Sequence, residues 1–74
     1  MPALTAERRF GRELRRVREE KGISQEELGF RAELHRTYVS QLERGLKSPS
    51  LRTLLKIGGA LSYSAAKLVA AAEG

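Results

Sequence analysis

Arg36, Thr37, Ser40 and Gln41 stand within six residues of one another in the stretch RTYVSQLERG. If that stretch is helical, these side chains point away from Val39 and Leu42, which share the apolar side. A guanidinium, two hydroxyls and a carboxamide on one outward face are groups that can hydrogen-bond to base edges. Catalysis finds less to work with. Ser40 has no histidine partner at a suitable spacing, so nucleophilic chemistry is not supported. Glu26 and Glu27 are adjacent carboxylates, but neighbouring helix residues point in different directions and do not converge on one reacting atom. His35 is the only histidine and cysteine is absent, which leaves no ligand set for a metal. Gly58 and Gly59 sit inside a helical pattern with no preceding strand, unlike a phosphate-binding loop. No cofactor and no enzyme activity are expected.

Turning the four polar side chains outward requires a helix held at an angle to its neighbours, and the chain carries the signals for one. A first helix is expected from Thr5, a suitable N-cap, to about Lys21, with Gly22 as its stop. Phe10, Leu14 and Val17 form its apolar stripe. A second helix opens at Ser24, where Ser24 and Glu27 have the spacing of a capping box and Ile23 that of half a staple. It runs to about Arg31. The third spans Arg36–Arg44 and stops at Gly45. Gly29 lets the third helix pass close to the second, and Leu28, Ala32, Leu34, Val39 and Leu42 share a small core between them. The three- to four-residue turn forces a steep crossing, so the third helix projects outward. After the loop LKSPS, Ser50 caps a fourth helix from Leu51 to about Leu61. Ser64 caps a fifth, Ala65–Ala72. Nothing alternates with period two, so the fold class is all-α, with five short helices.

At 74 residues the chain allows a single domain, residues 1–74, with a modest core that a partner subunit can extend. The opening MPALTAERRF has no apolar run of signal-peptide or membrane-span length, and KLVAAA is too short to cross a bilayer. A cytoplasmic protein with no membrane partner is expected. Fourteen Lys and Arg against nine Asp and Glu give a net charge of +5, which favours a polyanionic partner. Arg8, Arg9, Arg12, Arg15, Arg16 and Arg18 cluster on the first helix, where a solvated face is the ordinary outcome.

LRRVREEKGISQEEL, then RTYVSQLERG, then SPSLRTLLKIGGAL resemble the Cro/C1-type (xenobiotic response element) helix-turn-helix regulators. The resemblance covers about residues 8–70, and KGISQEEL and QLERG in register are its most specific parts. It implies a five-helix, lambda-repressor-like DNA-binding domain with the helix-turn-helix proper at about 24–45. Such domains usually bind (pseudo)palindromic double-stranded DNA operators as homodimers. RTYVS is most similar to the small controller proteins of restriction–modification systems, which act as repressors or as activators that contact RNA polymerase.

The same resemblance assigns roles. The third helix corresponds to the recognition helix of the major groove. Arg36, Thr37 and Gln41 match reading positions, with Ser40 beside them. Gln25 matches a phosphate-binding position at a helix N-terminus, and Lys47 and Ser48 match a second phosphate contact. Arg44 and Arg52 lie near enough in sequence to join them, and Tyr38, like Ser40, is a candidate backbone or base contact. Arg18 and Glu43 match a partly buried ion pair between the first and third helices. Two positions depart from the family pattern. Glu33 stands where the turn usually has Gly, and His35 stands where the third helix is usually capped by Ser, Thr or Asp, so fraying or a start one residue later is expected of that helix. Tyr63, just before the fifth helix, and Leu68, Val69 and Ala72 on it are the expected two-fold contact. The competing reading is an antitoxin or adaptor that uses the same fold chiefly to bind protein.

Overall fold

A computed structural model describes residues 4–74. Residues 1–3, included in the single-domain expectation, lie outside the described residues. The elements are α1 (Ala6–Glu20), α2 (Gln25–Ala32), α3 (Arg36–Glu43), α4 (Leu51–Leu61) and α5 (Ala65–Glu73). All five agree with the expected helices to within a residue at each boundary, and no strand occurs among the described residues.

Side-chain oxygens start three of the helices. Thr5 accepts from the Arg8 N–H at 3.1 Å, Ser24 from Glu27 at 3.0 Å and Ser50 from Thr53 at 3.1 Å, each satisfying an N–H that the helix leaves open. Only half of the expected capping box forms. Glu27 turns its carboxylate to Arg31, one helical turn on, at 2.9 Å. Ser64 occupies the N-cap position of α5 but makes no side-chain cap.

Helix ends follow one pattern. After α2 the Leu34 N–H reaches the Gly29 carbonyl at 2.7 Å and the Glu33 N–H reaches Phe30 at 3.4 Å, a Schellman arrangement with Glu33 left-handed at φ 58°. The α1, α3 and α4 ends repeat it, with Gly22, Gly45 and Ser62 in the left-handed position. Glycine adopts that conformation freely, whereas Glu33 and Ser62 each carry a Cβ that resists it.

One core joins all five helices. Phe10, Leu14 and Val17 of α1 meet Leu28 and Ala32 of α2, Val39 and Leu42 of α3, Ile57 and Leu61 of α4, and Leu68 of α5. Leu34 packs on the edge of this cluster and remains partly exposed. Each fully buried leucine contributes about 2 kcal/mol by leaving water. Two close approaches set the angles at which α3 is held. A Cβ on Gly29 would lie 2.5 Å from the Leu34 carbonyl oxygen, so the α2–α3 turn folds directly over a glycine, as the sequence suggested. A Cβ on Gly11 would collide with the carbonyl oxygens of Leu42 and Glu43, where α1 crosses the end of α3.

Candidate nucleic-acid interface

α3 buries one side and shows the other. Val39 and Leu42 have no exposure, whereas Arg36 and Thr37 are exposed and Ser40 and Gln41 partly so. A turn of 3.6 residues separates positions 36, 37, 40 and 41 from 39 and 42. Tyr38 is half-buried and leans on the core, so only part of it is available to a ligand. The first turn of α3 is helical despite its unusual cap. His35 Nδ1 accepts from the Thr37 N–H at 3.1 Å, and the helix starts at Arg36 with no delay. A neutral imidazole nitrogen is an acceptor and does the work of a hydroxyl here.

Behind α3 lies the ion pair. Arg18 Nε donates to Glu43 Oε2 at 2.6 Å and Arg18 Nη2 to Oε1 at 3.0 Å, a bidentate clamp from α1 to α3. The Glu43 side chain is 3% exposed and that of Arg18 10%. Arg18 also donates to the Ile23 carbonyl at 2.9 Å, so the α1–α2 linker is tied to the same group. The hydrogen bond to Glu43 holds the Arg18 guanidinium above its ordinary pKa, against the opposite pull of burial. Gln25, at the first position of α2, gives its amide to Glu43 Oε1 at 3.0 Å. That bond fixes the amide and uses one of its two N–H groups, leaving the other for a ligand.

An open polar cleft surrounds Gln25, lined by Arg15, Arg18, Ser24, Glu26, Arg36, Glu43 and Arg44. It brings Gln25, Arg36 and Arg44 together at the N-terminus of α2, where backbone N–H groups and the helix dipole favour an anion. Lys47, Ser48 and Arg52 are exposed but lie apart, on the loop before α4 and on its first turn. The Ser48 side chain departs from its expected role. Its hydroxyl donates to Glu7 at 2.9 Å, which commits its single proton and leaves the backbone N–H as its offer to a phosphate. The Glu7 carboxyl is held below its usual pKa by a backbone hydrogen bond and by Ser48.

Two residues of the cleft were given no binding role from the sequence. Arg15 belongs to the arginine run of α1, and nothing local separates it from its neighbours. Arg16 is locked between Glu13 at 2.8 Å and Glu20 at 2.7 Å, while Arg9 donates to the Ala72 carbonyl at 2.7 and 2.9 Å. Of that run only Arg15, paired with Glu19 at 3.2 Å, and Arg18 line the cleft. Glu26 is the other: its Oε2 lies 3.3 Å from Arg36 Nη1.

The expected two-fold contact needs one correction. Leu68 has no exposure and seals the core from α5, so it has no surface to offer a second subunit. Val69 is 39% exposed, and Tyr63 and Ala72 are half-buried. The Tyr63 hydroxyl donates to Glu13 at 3.1 Å, and its pKa is raised first by desolvation and then by that bond. Larger apolar exposure sits on α4, where Leu51 is 73% and Leu55 61% exposed. No helix among the described residues is long and apolar enough to cross a membrane.

The geometry of α2, turn and α3 agrees with comparison to known proteins. A family model described as Helix-turn-helix matches residues 14–68. The chain belongs to that helix-turn-helix family. Its relatives are regulators rather than enzymes. It is 47% identical over 53 residues to the control protein C.BamHI of Bacillus amyloliquefaciens, covering 70% of this chain and 65% of that protein. Its backbone is similar to that of the restriction–modification controller C.AhdI of Aeromonas hydrophila, with a TM-score of 0.82 and 42% identity, covering 84% of this chain and 94% of the other. The clp gene regulator ClgR of C. glutamicum is similar at a TM-score of 0.91 and 33% identity, covering 99% of this chain and 94% of the other. The non-glycine turn and the histidine cap are thus variations within a helix-turn-helix of ordinary form.

Proposed function

We propose that this helix-turn-helix protein is a sequence-specific transcription regulator that binds a (pseudo)palindromic operator as a homodimer, with α3 in the major groove, and that it controls a restriction–modification operon. The observation that carries this reading is the outward set Arg36, Thr37, Ser40 and Gln41 beside the cleft at the N-terminus of α2. Arg36 binds guanine O6 and N7, and Gln41 pairs with adenine. Gln25, Arg44, Lys47 and Arg52, with Arg15 added by the cleft, hold phosphates, and Tyr38 and the Ser48 N–H support them. The subunits meet through Val69, Tyr63 and Ala72 on the α5 side and through Leu51 and Leu55, one turn apart on α4. The two recognition helices then lie about 34 Å apart, one turn of DNA. The protein works in the cytoplasm, and where it activates it also touches RNA polymerase.

Selection of bound sequences from a random DNA pool tests this reading. A two-fold related motif is expected; a pool that stays random defeats it. Phe30, 82% exposed on α2, favours the second reading, an adaptor or antitoxin that binds protein. Salt separates the two. DNA binding releases counterions and weakens steeply with salt, whereas a protein interface need not.

A further inference from the structure

We infer that Glu26 sets the protein's discrimination between operator and other DNA by keeping the Arg36 guanidinium from binding phosphates indiscriminately. The inference rests on the proposed placement of α3 against base edges. Glu26 Oε2 lies 3.3 Å from Arg36 Nη1, and the two side chains are 76% and 67% exposed. So exposed a pair adds little to folding stability. Glu26 and Glu27 both lie in the first turn of α2, where an acid suits the helix dipole, but the dipole does not require either carboxylate to reach another helix. Glu27 pairs within its own helix, with Arg31, whereas Glu26 reaches across the turn to α3. A carboxylate in a cleft built from Arg15, Arg36 and Arg44 opposes the phosphates that the cleft suits. That cost makes sense if it has a selective effect.

The effect follows from what each competitor offers the guanidinium. A phosphate is available on every DNA, and an unpaired Arg36 would bind one on any sequence. With Glu26 beside it, leaving the carboxylate for a phosphate exchanges one ionic partner for another and yields little. Guanine presents two acceptors, O6 and N7, in the plane of the fork. It can take the free edge of the guanidinium while Nη1 stays with Glu26. Arg36 therefore adds to binding where guanine stands at its position and adds little elsewhere, which is discrimination by penalising the wrong ligand.

The test is a double-mutant cycle with Glu26→Gln and Arg36→Ala, on the selected operator and on a scrambled duplex, at two salt concentrations. Glu26→Gln keeps the shape of an exposed side chain, so the fold is preserved. In the wild-type background it should raise affinity for scrambled DNA by about tenfold at low salt, steepen that salt slope by about one per subunit and change operator affinity by less than about twofold. In the Arg36→Ala background it should move both duplexes by the same factor. Equal changes on both duplexes in both backgrounds would make Glu26 a generic charge and overturn the inference. Loss of operator affinity with scrambled DNA unchanged would also overturn it, placing Glu26 on the operator itself. A wild-type protein with no operator preference defeats the proposed function along with this inference; a preference that survives without coupling to Arg36 defeats this inference alone.

Discussion

At the residue scale, the Arg18–Glu43 pair couples stability to the interface. Both groups are buried and the carboxylate takes three hydrogen bonds, two from Arg18 and one from Gln25. Glu43→Ala leaves a buried guanidinium and an amide without their acceptor, and should destabilise the fold by about 3–5 kcal/mol in thermal or denaturant melts. Replacing Arg18 and Glu43 together by apolar residues should recover part of that loss; a silent Glu43→Ala would show that the pair holds nothing. Glu33, left-handed at φ 58°, makes the opposite prediction. Glu33→Gly relieves the Cβ clash but gives the unfolded chain more freedom, so the net gain should lie between zero and about 1 kcal/mol. A clear drop in melting temperature would mean that the carboxylate has a role in the turn. The pair and the special turn position were both legible through the family resemblance, which matches Arg18 and Glu43 to an ion pair and sets Glu33 where the turn usually has Gly. Partners fixed only by the folded chain were not. No local pattern indicates that Gln25 aims its amide at Glu43, or that Ser48 gives its proton to Glu7, 41 residues away.

At the element scale, the helices were readable because their starts and stops are local chemistry. Thr5, Ser24 and Ser50 each sit just before an apolar-periodic run, and Gly22 and Gly45 just after one. Ser62 gave no such signal, since serine is not a residue that marks a left-handed stop. Gly11 was equally silent. It sits within an arginine-rich helix, where glycine looks like a small loss of helix propensity. Its purpose appears only when α1 crosses the Leu42 and Glu43 carbonyls. Gly11→Ala must push α1 away from α3 or distort the end of α3, and both disturb the Arg18–Glu43 clamp. A loss of about 2–4 kcal/mol in a denaturant titration is expected, well beyond the sign and size of an ordinary Gly→Ala change within a helix. If Gly11→Ala stabilises the protein, α1 and α3 are not in the close contact described.

At the scale of the whole molecule, the all-α architecture was legible, but the outer surface was not. Leu68 shows why: the periodicity of SAAKLVAAAEG identifies an apolar stripe without saying whether a core or a partner covers it. The fold assigns Leu68 to the core and leaves Val69 and, on α4, Leu51 and Leu55 uncovered. Leu55→Asp or Val69→Asp should therefore leave the helical spectrum intact and convert the proposed dimer to monomer in sedimentation at tens of micromolar. Wild-type protein that sediments as a monomer, with and without DNA, would contradict the two-fold arrangement. The central claim is that α3 reads sequence while the flanking basic residues only hold the backbone. Its most direct test is the binding of Arg36→Ala and Lys47→Ala to the operator and to scrambled DNA at two salt concentrations. Arg36→Ala should cost about 1–3 kcal/mol on the operator, far less on scrambled DNA, and relax the preference at one base pair per half-site. Lys47→Ala should weaken both duplexes alike and reduce the salt slope by about one per subunit. Equal losses on both duplexes for Arg36→Ala would make Arg36 another phosphate anchor and contradict the assignment of α3 as the reading helix.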